Sequence, residues 1–193
     1  MGTTQTTMAL KSTIYKAALS IADIDHGYYA DHALTLARHP SETAERMMIR
    51  ILAYAINAFE VQARCQGDGH IAFGAGLSDP DEADLWIKDF QGNVRLWIDV
   101  GQPEDKPIAR ACQRAELVRV YCFSQAAALW FKRIESKLNR SARLEVFRIS
   151  AEASAQLAGM ADRQMQLQAT IQDTVINLSN ASSSVQASLE RLR

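Results

Sequence analysis

Asp84 and Asp99 are the residues whose types and spacing invite chemistry. Between them, Leu85 and Ile87 alternate with Trp86 and Lys88, and Val94, Leu96, Ile98 and Val100 alternate with Arg95, Trp97 and Asp99. Period-two alternation of β-branched and aromatic residues marks two strands, and Gln91-Gly92 reads as a two-residue turn joining them. That turn pairs Phe90 with Asn93, Lys88 with Arg95, Trp86 with Trp97, and Asp84 with Asp99. The two carboxylates then face each other with Cβ atoms about 4.5–5.5 Å apart, an arrangement that like charges destabilise. Lys88 and Arg95 lie too far along the ladder to neutralise them. A divalent cation shared by both acids would remove the repulsion and give the pair a purpose. The alternative is two acids at strand ends in water. A loop of three or four residues would shift the register and undo the pairing.

The paired tryptophans carry two readings as well. They would stack a nucleic-acid base on the face of the two acids, or pack as core beneath a covering helix. The glycines Gly67, Gly69, Gly74 and Gly76 lack the spacing of a phosphate loop and read as an ordinary loop.

The rest of the chain must position these groups. Its 193 residues, 48% hydrophobic and 22% charged, suit one α/β domain with a sizeable core. A net charge of −1 gives no bulk attraction for nucleic acid or an anionic membrane, so any basic surface has to be local. Cys65, Cys112 and Cys122 show no metal-ligand spacing and suit a reducing cytoplasm, the expected location. No apolar run reaches the length of a membrane span, and no surface stripe argues for more than a monomer.

Alternation from Ser12 to about Ala22 and from about Tyr28 to Ala37 predicts an N-terminal hairpin around Asp23-Ile-Asp-His-Gly27. Pro40-Ser41 opens a long helix, about Glu42 to Ala63, with Ser41 as N-cap and Met48, Leu52, Ile56 and Phe59 on its apolar face. A short strand at His70–Phe73, the hairpin, a helix from about Lys106 to Glu116 and a strand Leu117–Phe123 follow. Next come a helix Ala126–Leu138, a strand Arg143–Ile149 and a helix Ala151–Met160. A meander of Met165–Asp173, Val175–Leu178 and Val185–Leu192 closes the chain.

From Glu42 to Phe123 the order helix, short strand, strand, strand, helix, strand resembles the core of the PD-(D/E)XK nuclease superfamily, the restriction-endonuclease-like fold. Asp84 matches its first acid, with Ala83 in place of the preceding proline, and Asp99 matches the second; Gly101 stands where the pattern has lysine. The chain is also similar to the bacterial YaeQ proteins. The match runs through Met8–Lys16, Leu34–Thr43 with Glu45–Met48, Leu96–Pro103 and Leu167–Asp173. The resemblance implies a mixed central sheet with flanking helices, a nuclease-like core, an added N-terminal hairpin and C-terminal antiparallel strands. It also implies one domain over residues 8–193 after a structureless leader, 1–7.

A working nuclease site of this kind would hold Mg²⁺, or Mn²⁺ in its place, on Asp84 and Asp99. Glu45, near the start of the long helix, is the candidate third carboxylate; a solvated first-turn acid is its plainer role. Gln102 is placed to orient a water if the strand bulges. Arg110 and Arg114, with Lys106 behind them, are the nearest cations able to replace the lysine by clamping a phosphate, or else form an ordinary solvated helix face. His39 would bind phosphate or act as a base, or simply shape the turn. The function expected is Mg²⁺-dependent phosphodiester cleavage acting on nucleic acid. The alternative is a non-cutting relative that binds nucleic acid or protein.

Overall fold

The alternation near the N-terminus produces β1 (Thr13–Asp23) and β2 (Tyr28–Arg38), which pair antiparallel along their whole length. Gly27, at φ +63°, closes the turn between them. The computed structural model describes residues 12–75, 77, 79, 81–138 and 142–193, so the expected leader lies outside the described residues.

The long helix expected over Glu42–Ala63 is two helices, α1 (Ala44–Asn57) and α2 (Glu60–Cys65). Thr43, not Ser41, caps α1, its side chain accepting from the Arg46 N–H at 3.1 Å. Residues 47–57 are buried all round the helix. An apolar run with no polar face belongs in an interior, and α1 lies there.

Three strands follow: β3 (Gly69–Phe73), β4 (Leu85–Asp89) and β5 (Val94–Val100). After them come α3 (Asp105–Arg114), β6 (Ala115–Phe123), α4 (Ala127–Leu138), β7 (Leu144–Ile149) and α5 (Ala151–Ala158). The chain closes with β8 (Gln164–Gln172), β9 (Val175–Ser179), β10 (Ser184–Ser188) and β11 (Glu190–Arg191). Among the described residues no helix is long and apolar enough to cross a membrane.

The strands form two mixed sheets, the N-terminal hairpin and the C-terminal strands β8 to β10 building one and the central strands β3 to β7 the other. One runs β10-β9-β8-β1-β2 and the other β11-β7-β6-β5-β4-β3. The terminal meander joins the N-terminal hairpin because β8 lies parallel to β1. The last predicted strand divides, β10 staying in the first sheet and β11 crossing to β7 of the second. One core fills the space between the sheets around α1, with Leu19, Leu36, Leu52, Leu85, Ile98 and Leu167 among its members. A second lies under α3 and α4, with Trp97, Ile108, Val120 and Trp130.

The central hairpin departs from the two-residue turn. Asp89 N–H donates to the Asn93 carbonyl at 3.1 Å, which leaves a three-residue loop, Phe90-Gln91-Gly92. Gly92 adopts φ +89° in that loop. The Asp89 carboxylate accepts from both the backbone and side-chain N–H groups of Asn93 at 2.8 Å and locks the turn. Lys88 then faces Val94 instead of Arg95, and Arg95 is extruded as a bulge. One extra loop residue and one bulged residue cancel. Beyond the bulge Trp86 faces Trp97 and Leu85 faces Ile98, the register that the shorter turn predicts.

Candidate functional site

The ladder ends at Leu85–Ile98, and Asp84 and Asp99 are the next residues on each side. Both line one cleft of about 440 Å³, together with Arg46, Gly101, Gln102 and Glu82. Their carboxylates are drawn to different partners.

Asp84 is 4% exposed. Both its oxygens accept from Nη2 of Arg46 at 2.7 Å, and Oδ2 also accepts from the Val100 N–H at 2.7 Å. Arg46 reaches down from the first turn of α1, and its Nη1 donates to Glu42 Oε1 at 2.8 Å. One turn further along α1, the fully buried Arg50 donates to Glu42 Oε2 at 3.2 Å, to the Ala37 carbonyl and to the Gly74 carbonyl. Its Nε, 4.0 Å from Asp84 Oδ1, makes no hydrogen bond. Two acids and two arginines thus balance charge for charge. Burial alone would lower the Arg46 pKa, but Asp84 and Glu42 outweigh it and the net shift is upward.

Asp99 has no cation on its carboxylate. It accepts from Trp97 Nε1 at 2.9 Å. Burial, and then the charge of Asp84, push its carboxyl up to about 7. The repulsion foreseen between the acids is real, and the fold answers it twice: Arg46 neutralises Asp84, and Asp99 holds its proton into the neutral range.

Gly101 takes φ +108°, a conformation that L side chains rarely adopt. A Cβ placed there meets nothing nearer than Arg46 Nε at 4.0 Å. The Arg46 side chain from α1 is therefore the nearest group to this position.

Arg110 pairs with Asp81 at 3.3 Å, both exposed, and Arg114 donates to the Asp81 carbonyl at 3.1 Å. They wall a crevice that reaches Asp99 from under α3. Gln102 is exposed on the cleft rim and accepts from Ser124 Oγ at 3.3 Å. Glu45 turns away to α5, accepting from Ser154 Oγ at 2.5 Å; the acid of the cluster is instead Glu42, just before the Thr43 cap of α1. His39 accepts from the Ser41 N–H and shapes the helix entry. Trp86 and Trp97 contact edge to face at 6.1 Å; Trp97 is buried under α3, and Lys88 covers the Trp86 ring at 3.3 Å.

Sequence reasoning missed Glu42, Arg46 and Arg50 as a unit. The signal was present as their i, i+4, i+8 spacing, with Arg50 set inside the apolar run Met47–Ala53. A charge on the buried face of a helix requires a partner. Among the described residues no three His, Cys, Asp or Glu side chains converge as a metal cluster.

Residues 8–189 match the family model described as YaeQ protein. The uncharacterized protein YaeQ of Salmonella typhi is 43% identical over 183 residues, covering 94% of this chain and 96% of that protein. Its counterpart in Escherichia coli K12 is 41% identical over the same span and coverage. The crystal structure of YaeQ protein from Xanthomonas axonopodis pv. citri superposes with a TM-score of 0.85 at 37% identity, covering 94% of this chain and 98% of the other. That from Pseudomonas syringae gives 0.84 at 30% identity, covering 94% and 96%.

Proposed function

This chain belongs to the YaeQ family, and on that footing we propose that its Asp84–Asp99 cleft is a divalent-cation-dependent phosphodiester-cleaving centre of the nuclease kind. The observation that carries the reading is the Arg46 guanidinium lying over Gly101 while gripping Asp84. A positive charge thereby stands beside the two acids although the motif lysine is gone.

The donor set suits a weakly held ion. Mg²⁺ takes one or two carboxylates and completes its shell with water and phosphate. Asp99 accepts from Trp97 and from the Asp84 backbone, and Asp84 Oδ1 accepts from Arg46, so both carboxylates keep acceptor capacity. Asp84 and Asp99 would hold the ion, which when bound supplies a hydroxide nucleophile and offsets charge building on the phosphate. Arg46 Nη1 and Nη2 are committed to Glu42 and Asp84, which leaves its Nε–H as the donor for a phosphate oxygen. Gln102 on the rim would orient water or substrate.

The second reading is a binding module that does not cut. The charge balance of Glu42 and Asp84 against Arg46 and Arg50 favours it, because Asp84 is then neutralised without any ion.

Calorimetric titration of Mg²⁺ and Mn²⁺ into wild type and Asp99→Asn, followed by incubation with RNA, single-stranded DNA and duplex DNA, separates the two. The cleaving reading expects millimolar binding lost in the variant, and cleavage of at least one substrate. Binding without cleavage supports the module, and absence of binding at millimolar ion rejects the metal centre.

A further inference from the structure

With a net charge of −1, a polyanion has to find a local seat on this protein. One runs beside α3. The Asp84–Asp99 cleft shares Glu82, Asp99 and Pro107 with the crevice walled by Arg110 and Arg114. That crevice shares Arg114 with an open trough of about 550 Å³, lined among others by Asn93, Arg95, Gln113, Glu116 and Arg143. Through these shared residues the three depressions adjoin one another from the acids toward the β4–β5 turn.

The charges along it are not equally spoken for. Arg95 is held by Asp89 at 2.9 Å and by Glu116, so the trough's acid is committed. Arg114 and Arg143, both exposed, donate to backbone carbonyls, of Asp81 at 3.1 Å and of Ala115 at 3.4 Å. A carbonyl carries no net charge, so both guanidiniums keep theirs. Arg110 shares its charge only with the exposed Asp81, a pair that costs little to open. Arg110 and Arg114 stand one helical turn apart, about 5–6 Å between Cβ atoms, on the scale of neighbouring phosphates in an extended strand. The trough is open, whereas the crevice encloses only about 20 Å³, so a strand meets Arg110 and Arg114 at its rim.

We propose that this path seats a single phosphodiester strand, RNA or single-stranded DNA, with its phosphates on Arg110, Arg114 and Arg143 and one linkage led into the Asp84–Asp99 cleft. The inference rests on the phosphodiester reading of that cleft for its last step alone. Asn93 and Gln113 add neutral donors beside the phosphates.

Fluorescence anisotropy of labelled oligo(U), oligo(dT) and a duplex of equal length, in EDTA across a salt series, tests the seat without any metal ion. Wild type binds the single strands more tightly than the duplex, and log affinity falls linearly with log salt. Preference for oligo(U) over oligo(dT) assigns RNA, and the reverse assigns DNA. Arg114→Ala/Arg143→Ala lowers the salt slope by about 1 for each arginine removed. Lys132→Ala/Arg133→Ala removes the same charge from exposed positions on α4 that line none of the three depressions, and it leaves the slope unchanged. No single-strand binding, tighter duplex binding, or equal losses in both variants would overturn the seat. Strand binding without metal binding sinks the cleavage reading alone; cleavage at unchanged KM in Arg114→Ala/Arg143→Ala sinks the seat alone.

Discussion

A single nitrogen of Arg46, Nη2, lies 2.7 Å from both carboxylate oxygens of Asp84. It ties the first turn of α1 to the end of the β4–β5 ladder, and Arg50 and Glu42 complete the joint beneath it. Site and fold share these residues, which makes their stability effects readable.

Removing Arg46 leaves two buried acids short of a partner. Arg46→Ala is expected to lower the unfolding free energy by about 3–5 kcal/mol, the usual cost of breaking a buried pair on one side. Arg46→Lys keeps the charge but cannot hold Asp84 and Glu42 with one planar group, and it falls between the two. Urea denaturation of the three proteins orders them.

Glu42, just before the α1 cap, and Glu45, in its first turn, give a paired comparison. Glu42 is 2% exposed and meets both arginines, so Glu42→Ala should cost about 3–5 kcal/mol. Glu45 holds only the Ser154 hydroxyl, and Glu45→Ala should cost about 1 kcal/mol. Equal denaturation midpoints for the two variants would contradict the placement of Glu42.

Asp99 sets a pH dependence whose sign is fixed by its raised pKa. The folded state holds the proton up to about 7 while the unfolded chain releases it in the ordinary carboxylate range. The contribution is fully present below about pH 4 and is lost as pH rises through about 7. Asp99→Asn cannot ionise, so its melting temperature relative to wild type should climb between those limits and level off above. Trp97→Phe removes a side-chain hydrogen bond that favours the charged carboxyl and should raise the Asp99 pKa further, followed by carboxyl NMR.

Gly101 separates backbone strain from steric space. Its added Cβ meets ordinary contact distance, but φ +108° is costly for any L residue. Gly101→Ala should destabilise by about 1–3 kcal/mol with Arg46 still seated on Asp84. A crystal structure showing Arg46 expelled would assign the cost to crowding instead.

Much of this was legible along the chain because strands and helices write their burial as period. The alternation at Leu85–Ile87 and Leu96–Val100 marked β4 and β5, and Trp86 does face Trp97. The loop was misjudged by one residue, since Asp89 closes it through Asn93, and the bulge at Arg95 restored the register. The break between α1 and α2 carries no proline or glycine and left no local mark. The exchange of Glu45 for Glu42 follows from the cap: with Thr43 as N-cap, Glu42 precedes the helix and Glu45 sits in its first turn.

By itself the sequence determined most of the elements and the placing of Asp84 and Asp99 at the ends of paired strands, because propensity, alternation and turn chemistry act between near neighbours. Tertiary structure decided that β1 and β8 join into a second sheet, that Arg46 is the nearest group to Gly101, and that burial holds the Asp99 proton into the neutral range. Those outcomes depend on contacts between distant segments and on the burial that packing creates, and no local pattern encodes either.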